Sequence, residues 1–342
     1  MESVTSAPMQ NTESAKAKII NILSMPDGEL SWCLRVKKAI KRSNLGDWAD
    51  IVLTTSPPES IHGLGRWMKK KYGIVWIADV RDFWLLHPLQ PIRKKPWRRM
   101  FEKRIARYYL NSTNAIISPS SKILDEMKSL ISGNALTEVI EQPAPYLGQS
   151  KDQETFLGRR KQSPAGPRIL HSGSFTQSDP SRTITPLLDL IKEARKKNPE
   201  IQLELSGRIT AAELDEAQKC LGQNVSYYGV ETLEESWSRI SSANMLALVV
   251  APGSSSVPGK LAEYRMSGLP IVYIGEGPWK KVIGLKNLPP PAVQLHHLLN
   301  NSHKHEVLFN SSYPTINAIA IKLEVLMKRC TEQPDFKKSN SF

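Results

Sequence analysis

Lys260 and Glu263 stand three residues apart in "GSSSVPGKLAEYRMSGLPIV". On a helix that spacing puts both on one face. The preceding loop, Gly253 to Ser256 with Ser254 and Ser255, offers backbone N–H groups to an anion together with the helix N-terminus. Pro258 suits a first helical turn. In that setting the loop and Lys260 could hold phosphates while Glu263 accepts both hydroxyls of a ribose. The alternative is a surface Lys–Glu pair worth only about 0.2–0.5 kcal/mol. Spacing alone leaves both open.

Other clusters carry chemistry as well. Asp79, Arg81 and Asp82 end the apolar run "IVWIADVRDFW". Charge at the end of a buried strand must be paired or open to a cleft. Either an Asp–Arg pair locks the loop, or a carboxylate meets a polyhydroxylated substrate or acts as a base. Trp84 is either core or a platform for an acceptor ring. Ser56 opens "SPP" and His62 lies in the following helix: a turn with a surface histidine, or a hydroxyl and an imidazole on a cleft rim. In "LHSGSFTQSDPSR", Gly173 and Ser174 follow a strand, where backbone N–H groups can approach an anion, and Arg182 is the nearest fixed cation.

The segment "PIRKKPWRRMFEKRIARYY" sets Arg93, Lys94, Lys95, Arg98, Arg99, Lys103, Arg104 and Arg107 against Glu102 alone. Trp97, Met100, Phe101, Ile105 and Tyr108 recur at roughly helical spacing. This is a solvated face, or a surface for anionic lipid or a phosphate-bearing acceptor.

The elements that must position these residues alternate. "ADIVLTTSPP", "IVWIADVRD", "NAIISPS" and "TEVIEQP" are short apolar strands, with helices in "ESIHGLGRWMKKKYG", the basic segment and "SKILDEMKSLI" between them. Gly73 closes the first of these helices. The polar segment 147–167 breaks the rhythm and reads as a linker. Strands in "RILHSGSF", "IQLELSGRI", "NVSYYG", "NMLALVVAPG" and "LPIVYIG" then alternate with helices, one of them opened by a Thr232–Glu235 capping box. "YPTINAIAIKLEVLMKRC" is a closing helix. Such alternation predicts parallel sheets covered on both faces, with ligands at the strands' carboxyl ends beside a switch in strand order. The divisions are a tail 1–25, a first domain 26–146, the linker 147–167, a second domain 168–312, the closing helix 313–331 and a tail 332–342.

With 342 residues and 40% hydrophobic composition, the chain is long enough for two cores. A net charge of +13 favours polyanionic partners: nucleic acid, an anionic membrane surface or phosphate-bearing ligands. Cys33, Cys220 and Cys330 are widely separated, which argues against a disulfide framework or a zinc site and for a reducing cytoplasm. No apolar run is long enough to cross a bilayer, and the N-terminus has no secretory pattern.

"TTSPPESIHGLGRWMKKKYGIVWIADVRDFW" resembles the N-domain of retaining GT-B glycosyltransferases of family 4 that carry a Ser-Pro-Pro...Asp-x-Arg-Asp-x-Trp pattern. "SSVPGKLAEYRMSGLPIV" resembles their donor-site helix, Lys-x-x-Glu-Tyr before a Gly-x-Pro strand. The resemblance runs from about residue 26 to the end. It implies an α/β protein of two Rossmann-like domains facing across a cleft, with a nucleotide-diphosphate sugar as donor substrate and no cofactor or metal. By the match, Glu263 binds the ribose, and Lys260 and the loops with Gly173, Ser174, Ser254 and Ser255 hold the diphosphate; Arg182, which comes later after Gly173 than the family's cations, is the further donor-side candidate. Gly207 and Arg208 lie near the base. His62, Asp79 and Asp82 are the expected catalytic residues, with Ser56, Arg81 and Trp84 on the acceptor side. The expected reaction moves a sugar, with retention, to a saccharide or lipid-linked acceptor in polysaccharide or glycan biosynthesis. Its expected place is the cytoplasm, at the inner face of the membrane if residues 93–107 attach there.

Three positions depart from the pattern. Ser255 stands where the family commonly has an earlier Glu. "SFTQSD" follows Gly173 where many members have Arg and Lys. Ahead of "MPDGELSW" only about two dozen polar residues remain, too few for roughly two strand–helix units. An incomplete first domain is therefore expected: truncated, wrongly started, or completed by a partner subunit. The corresponding alternative is a non-catalytic relative that binds nucleotide-sugar or a partner. Nucleic-acid binding is disfavoured, because the charge concentrates at 93–107 without basic and aromatic residues interleaved along a strand surface.

Overall fold

The computed structural model describes residues 25–85, 95–142, 166–254, 256–282, 284, 288–300 and 316–332. Arg93, Lys94, Ser255, and the expected tails and linker save their edge residues lie outside them.

The first unit begins with α1 (Leu30–Arg42) and α2 (Leu45–Trp48). It continues as β1 (Ile51–Ser56), α3 (Ile61–Tyr72), β2 (Val75–Val80), α4 (Pro96–Leu110), β3 (Ala115–Ser118), α5 (Ser121–Lys128) and β4 (Leu136–Val139). All strand pairs are parallel, in the order β1-β2-β3-β4. Every residue of β2 is buried, as a central parallel strand covered on both faces must be. Trp76, Ala78 and Val80 pack with Ala106 and Leu110 of α4 and with α5. Gly65 lets α3 lie on Trp76, whose Nε1 would be 2.2 Å from a Cβ at that position. Gly73 ends α3 at φ 68°, as expected.

The second unit runs β5 (Arg168–Ser172), α6 (Thr185–Arg195), β6 (Gln202–Ser206), α7 (Ala211–Leu221), β7 (Val225–Tyr227), α8 (Leu233–Ser242), β8 (Met245–Val249), α9 (Lys260–Met266), β9 (Ile271–Ile274), α10 (Trp279–Val282) and α11 (Pro291–Asn300). Its parallel sheet has the order β7-β6-β5-β8-β9, so the order reverses between β5 and β8. One face is filled by Leu187, Leu188 and Ile191 of α6, Ala217 of α7 and Leu295 and Leu298 of α11; the other by Trp237 and Ile240 of α8, Leu261 and Tyr264 of α9 and Trp279. The Thr232–Glu235 capping box forms. A second one, Thr210–Glu213, opens α7. Helix α11 was not read from the sequence. Its Gln294 exchanges amide hydrogen bonds with the backbone of Tyr273, covering the β9 edge.

The closing helix, α12 (Ile316–Thr331), returns to the first unit. There Ile319, Leu326 and Cys330 cover Val75, Ile77, Ala115 and Ile117 on the face opposite α4. Hydrophobic spacing marked this segment as a helix, but it carries no information about which sheet it joins.

Candidate functional site

In a doubly wound sheet, the loops leaving the two strands at the switch point splay apart and leave a crevice. Here those strands are β5 and β8. The β5 loop holds Ser172, Gly173 and Ser174. The β8 loop holds Gly253 and Ser254 and leads into α9 with Lys260 and Glu263.

Tyr264 ties these loops together. Its side chain is fully buried, and its hydroxyl accepts a hydrogen bond from the Ser172 N–H at 2.7 Å. Burial raises the phenol above its ordinary range, so it stays protonated. Glu263 precedes Tyr264 on the same helix. Lys260 Nζ donates to Glu263 Oε2 at 2.6 Å, and both side chains are part-exposed. The two residues do form a pair, on the helix that follows β8. Ser254 Oγ accepts from the Ser256 N–H at 3.3 Å and orders the turn before the helix.

Arg182 reaches the same loop, donating from Nη1 to the Ser174 carbonyl at 3.3 Å. Burial lowers its pKa, opposed by Asp179. Ser178 and Ser174 share a hydroxyl hydrogen bond. Glu213 accepts from the Thr176 N–H and hydroxyl and so fixes the far side of the loop. Burial pushes its carboxyl up, but these bonds and those from Thr210 outweigh that and hold it below the usual range.

His171, beneath this loop, was not singled out in the sequence. It is buried, stacks on Phe175 at 4.2 Å, and hydrogen-bonds through Nδ1 to the Ala247 carbonyl at 3.0 Å. Burial lowers its pKa to about 4, with Arg182 and Lys260 adding to the effect and the Ala247 bond and Glu213 opposing it. The signal was present in "LHSGSF": a polar side chain at a position whose neighbours along the strand are core.

Gly207 leaves β6 at φ +104°, and a Cβ there would be 2.3 Å from the Gly173 carbonyl oxygen. Its N–H donates to Gly229 at 2.6 Å and its carbonyl accepts from the Tyr227 hydroxyl at 3.0 Å. Arg208 beside it is exposed. Gly207→Ala combines an unfavourable φ with a clash against backbone, and it should destabilise the second unit by about 2–3 kcal/mol. Denaturant unfolding of that unit measures the loss; an unchanged midpoint would mean that the two loops can separate freely.

The first-unit residues sort differently from the sequence expectation. Asp79, next to last in β2, is buried and accepts from Arg81 Nε at 3.1 Å, with Arg81 and Asp82 exposed next to it. Burial raises the Asp79 carboxyl, opposed by Arg81. Ser56 is fully buried at the end of β1. His62 is not on a rim. It is fully buried, and its Nδ1 lies 2.9 Å from Thr54 Oγ1, which also accepts from Trp76 Nε1 at 2.8 Å. Burial lowers its pKa to about 3, so it is a neutral core group. Trp84 is likewise fully buried, packed against Phe83 at 5.2 Å; no face of its ring is open to an acceptor. Helix period put both on α3 or after β2, but the inward side of these elements takes them. Among the described residues no group of three His, Cys, Asp or Glu is arranged to hold a metal ion.

No protein-family model and no curated protein sequence matches the chain. Solved structures do match it in shape. Sucrose-phosphate synthase from Thermosynechococcus elongatus superposes with a TM-score of 0.58 at 14% identity, covering 88% of this chain and 78% of that one. UDP-GlcNAc 2-epimerase from Neisseria meningitidis, bound to UDP-GlcNAc, gives 0.52 at 14% identity, covering 94% and 84%. WaaG, a glycosyltransferase involved in lipopolysaccharide biosynthesis, gives 0.51 at 14% identity, covering 92% and 81%. At these identities the likeness is one of fold: the chain is an α/β protein built of two Rossmann-like domains, of the GT-B type.

Proposed function

We propose that the protein transfers a sugar from a nucleotide-diphosphate donor to a saccharide or lipid-linked acceptor, with retention, in glycan biosynthesis. The observation that carries this is the switch in strand order at β5 and β8: Tyr264 of α9 bonds the Ser172 N–H at the end of β5, Lys260 and Glu263 pair on that same helix, and Arg182 bonds the Ser174 carbonyl. Glu263 takes the ribose hydroxyls. Lys260, Arg182 and the N–H groups of the two loops, with Ser174 and Ser254, take the diphosphate. Gly207 and Arg208 border the base. As the glycosidic bond breaks, charge builds on the departing phosphate, and preorganised cations and N–H groups stabilise that charge. Asp79, Asp82 and Arg81 are the candidates for receiving and activating the acceptor. The raised Asp79 carboxyl is a feature such groups share with structural pairs. The fold likeness to proteins whose names include sugar transfer and UDP-GlcNAc supports the donor class.

A second reading is a non-catalytic relative that binds nucleotide-sugar or a partner. It is favoured by the first sheet, whose strand order β1-β2-β3-β4 has no reversal among the described residues. A panel of UDP-, GDP- and TDP-sugars, followed for binding, donor hydrolysis and transfer, separates the two. Turnover of one donor is expected. Binding without turnover favours the second reading; recovery of the donor as an epimer, or no binding at all, overturns the first.

A further inference from the structure

Helix α4 has two unlike sides. Arg98, Glu102, Ala106 and Leu110, spaced every fourth residue, are buried. Glu102 is the helix's only carboxylate, and it accepts from Arg98 Nε at 2.8 Å inside the unit. No acid of this helix therefore faces water. On the outer side Trp97, Met100, Phe101 and Tyr108 are 48%, 47%, 44% and 58% exposed. Arg99, Lys103, Arg104 and Arg107 are exposed beside them. At 3.6 residues per turn, Trp97, Phe101 and Tyr108 fall within about 40° of one another, and the four cations occupy one flank with Met100 among them.

That flank is an open groove of about 420 Å³, lined by Pro96, Arg99, Met100, Lys103, Arg104 and Arg107. Four of its six lining residues are cations and none is an acid. Arg66 of α3 lies 3.8 Å over the Tyr108 ring and adds charge beside the apolar ridge. A soluble polyanion would account for the cations but leave four large apolar side chains in water, an arrangement that usually marks a contact surface. An aromatic ridge with a cationic flank fits an interfacial helix lying in the plane of an anionic membrane. Among the described residues no helix is long and apolar enough to cross one.

We propose that the outer side of α4 docks on an anionic lipid bilayer. Trp97, Phe101 and Tyr108 enter the boundary between headgroups and acyl chains, while Arg99, Lys103, Arg104 and Arg107 meet lipid phosphates. The docking surface stands whether or not the second unit transfers sugar.

Sedimentation of the full chain with vesicles tests this. Vesicles of phosphatidylcholine alone should retain little protein; vesicles containing phosphatidylglycerol should retain it, less so as salt rises. Arg99→Gln/Lys103→Gln/Arg107→Gln should weaken that binding on the order of a hundredfold, since each cation contributes about a fivefold factor near such a surface. Trp97→Ser/Phe101→Ser keeps the charge and should weaken it at least tenfold, with an unchanged melting temperature for both variants. Equal retention by neutral vesicles, or none by anionic ones, would overturn the proposal. So would an unaffected Trp97→Ser/Phe101→Ser variant whose binding soluble polyphosphate or DNA displaces, since the surface would then be a site for dissolved polyanions.

Discussion

Glu263→Ala is expected to weaken nucleotide-sugar binding by roughly ten- to hundredfold while leaving the second unit's melting temperature almost unchanged. The first half follows from the bond type: hydrogen bonds to a charged group contribute about 1.5–3 kcal/mol. The carboxylate sits on the helix that follows β8, one residue before Tyr264, whose hydroxyl accepts from the Ser172 N–H at the end of β5. The second half follows from exposure. Glu263 and Lys260 keep 19% and 32% of their side-chain surface, and a pair so exposed contributes at most about 1 kcal/mol. Calorimetric titration with the donor found in the panel, alongside thermal melts, reads both quantities. A large fall in melting temperature with unchanged affinity would return Glu263 to the role of a surface ion pair.

Lowering the pH from 7.5 to 5 is expected to remove about 2 kcal/mol of stability from each unit through one buried histidine. Burial is the main cause in both cases, lowering His62 to about 3 and His171 to about 4. In the unfolded chain each titrates near 6.5. A folded-state value below the unfolded one means that the stability is complete above about pH 6.5. It is lost as pH falls toward the folded value, at about 1.4 kcal/mol per unit. Asp27 opposes the shift at His62 without cancelling it. At His171, Glu213 opposes it while Arg182 and Lys260 reinforce it. Glu213, whose carboxyl is held low, adds its own loss only below about pH 4.5. Asp79, raised by burial, works in the opposite sense in the first unit, so the second unit gives the cleaner measurement. Denaturant unfolding at the two pH values, repeated with His171→Gln, checks this. Equal stability of the parent protein at both values, or an undiminished pH dependence in the variant, would show that the imidazole is not carrying the effect.

The alternation of short apolar runs with amphipathic segments was enough to place β1 to β9 and the helices between them. A parallel strand buried on both faces must be apolar throughout, and its crossover must be a helix with one apolar stripe. The Lys260–Glu263 spacing likewise put both residues on one face of α9, and the capping box at Thr232 was legible because its chemistry is local. Helix α11 could have been read from Pro291 and the apolar positions Leu295 and Leu298.

What the tertiary structure decided is which side of an element meets what. His62 and Trp84 looked like site residues because they sit near strand ends, yet the inward side of the first unit takes both. Tyr264 looked like an ordinary helix residue until the Ser172 N–H, 92 positions away, was found to donate to its hydroxyl. The closing helix joins the first sheet, and the strand order reverses at β5 and β8, through contacts distant along the chain. Residue types and periods fix local conformation, because the forces behind it act over a turn or a pleat. The partner of each buried face is fixed only when the whole chain competes for it.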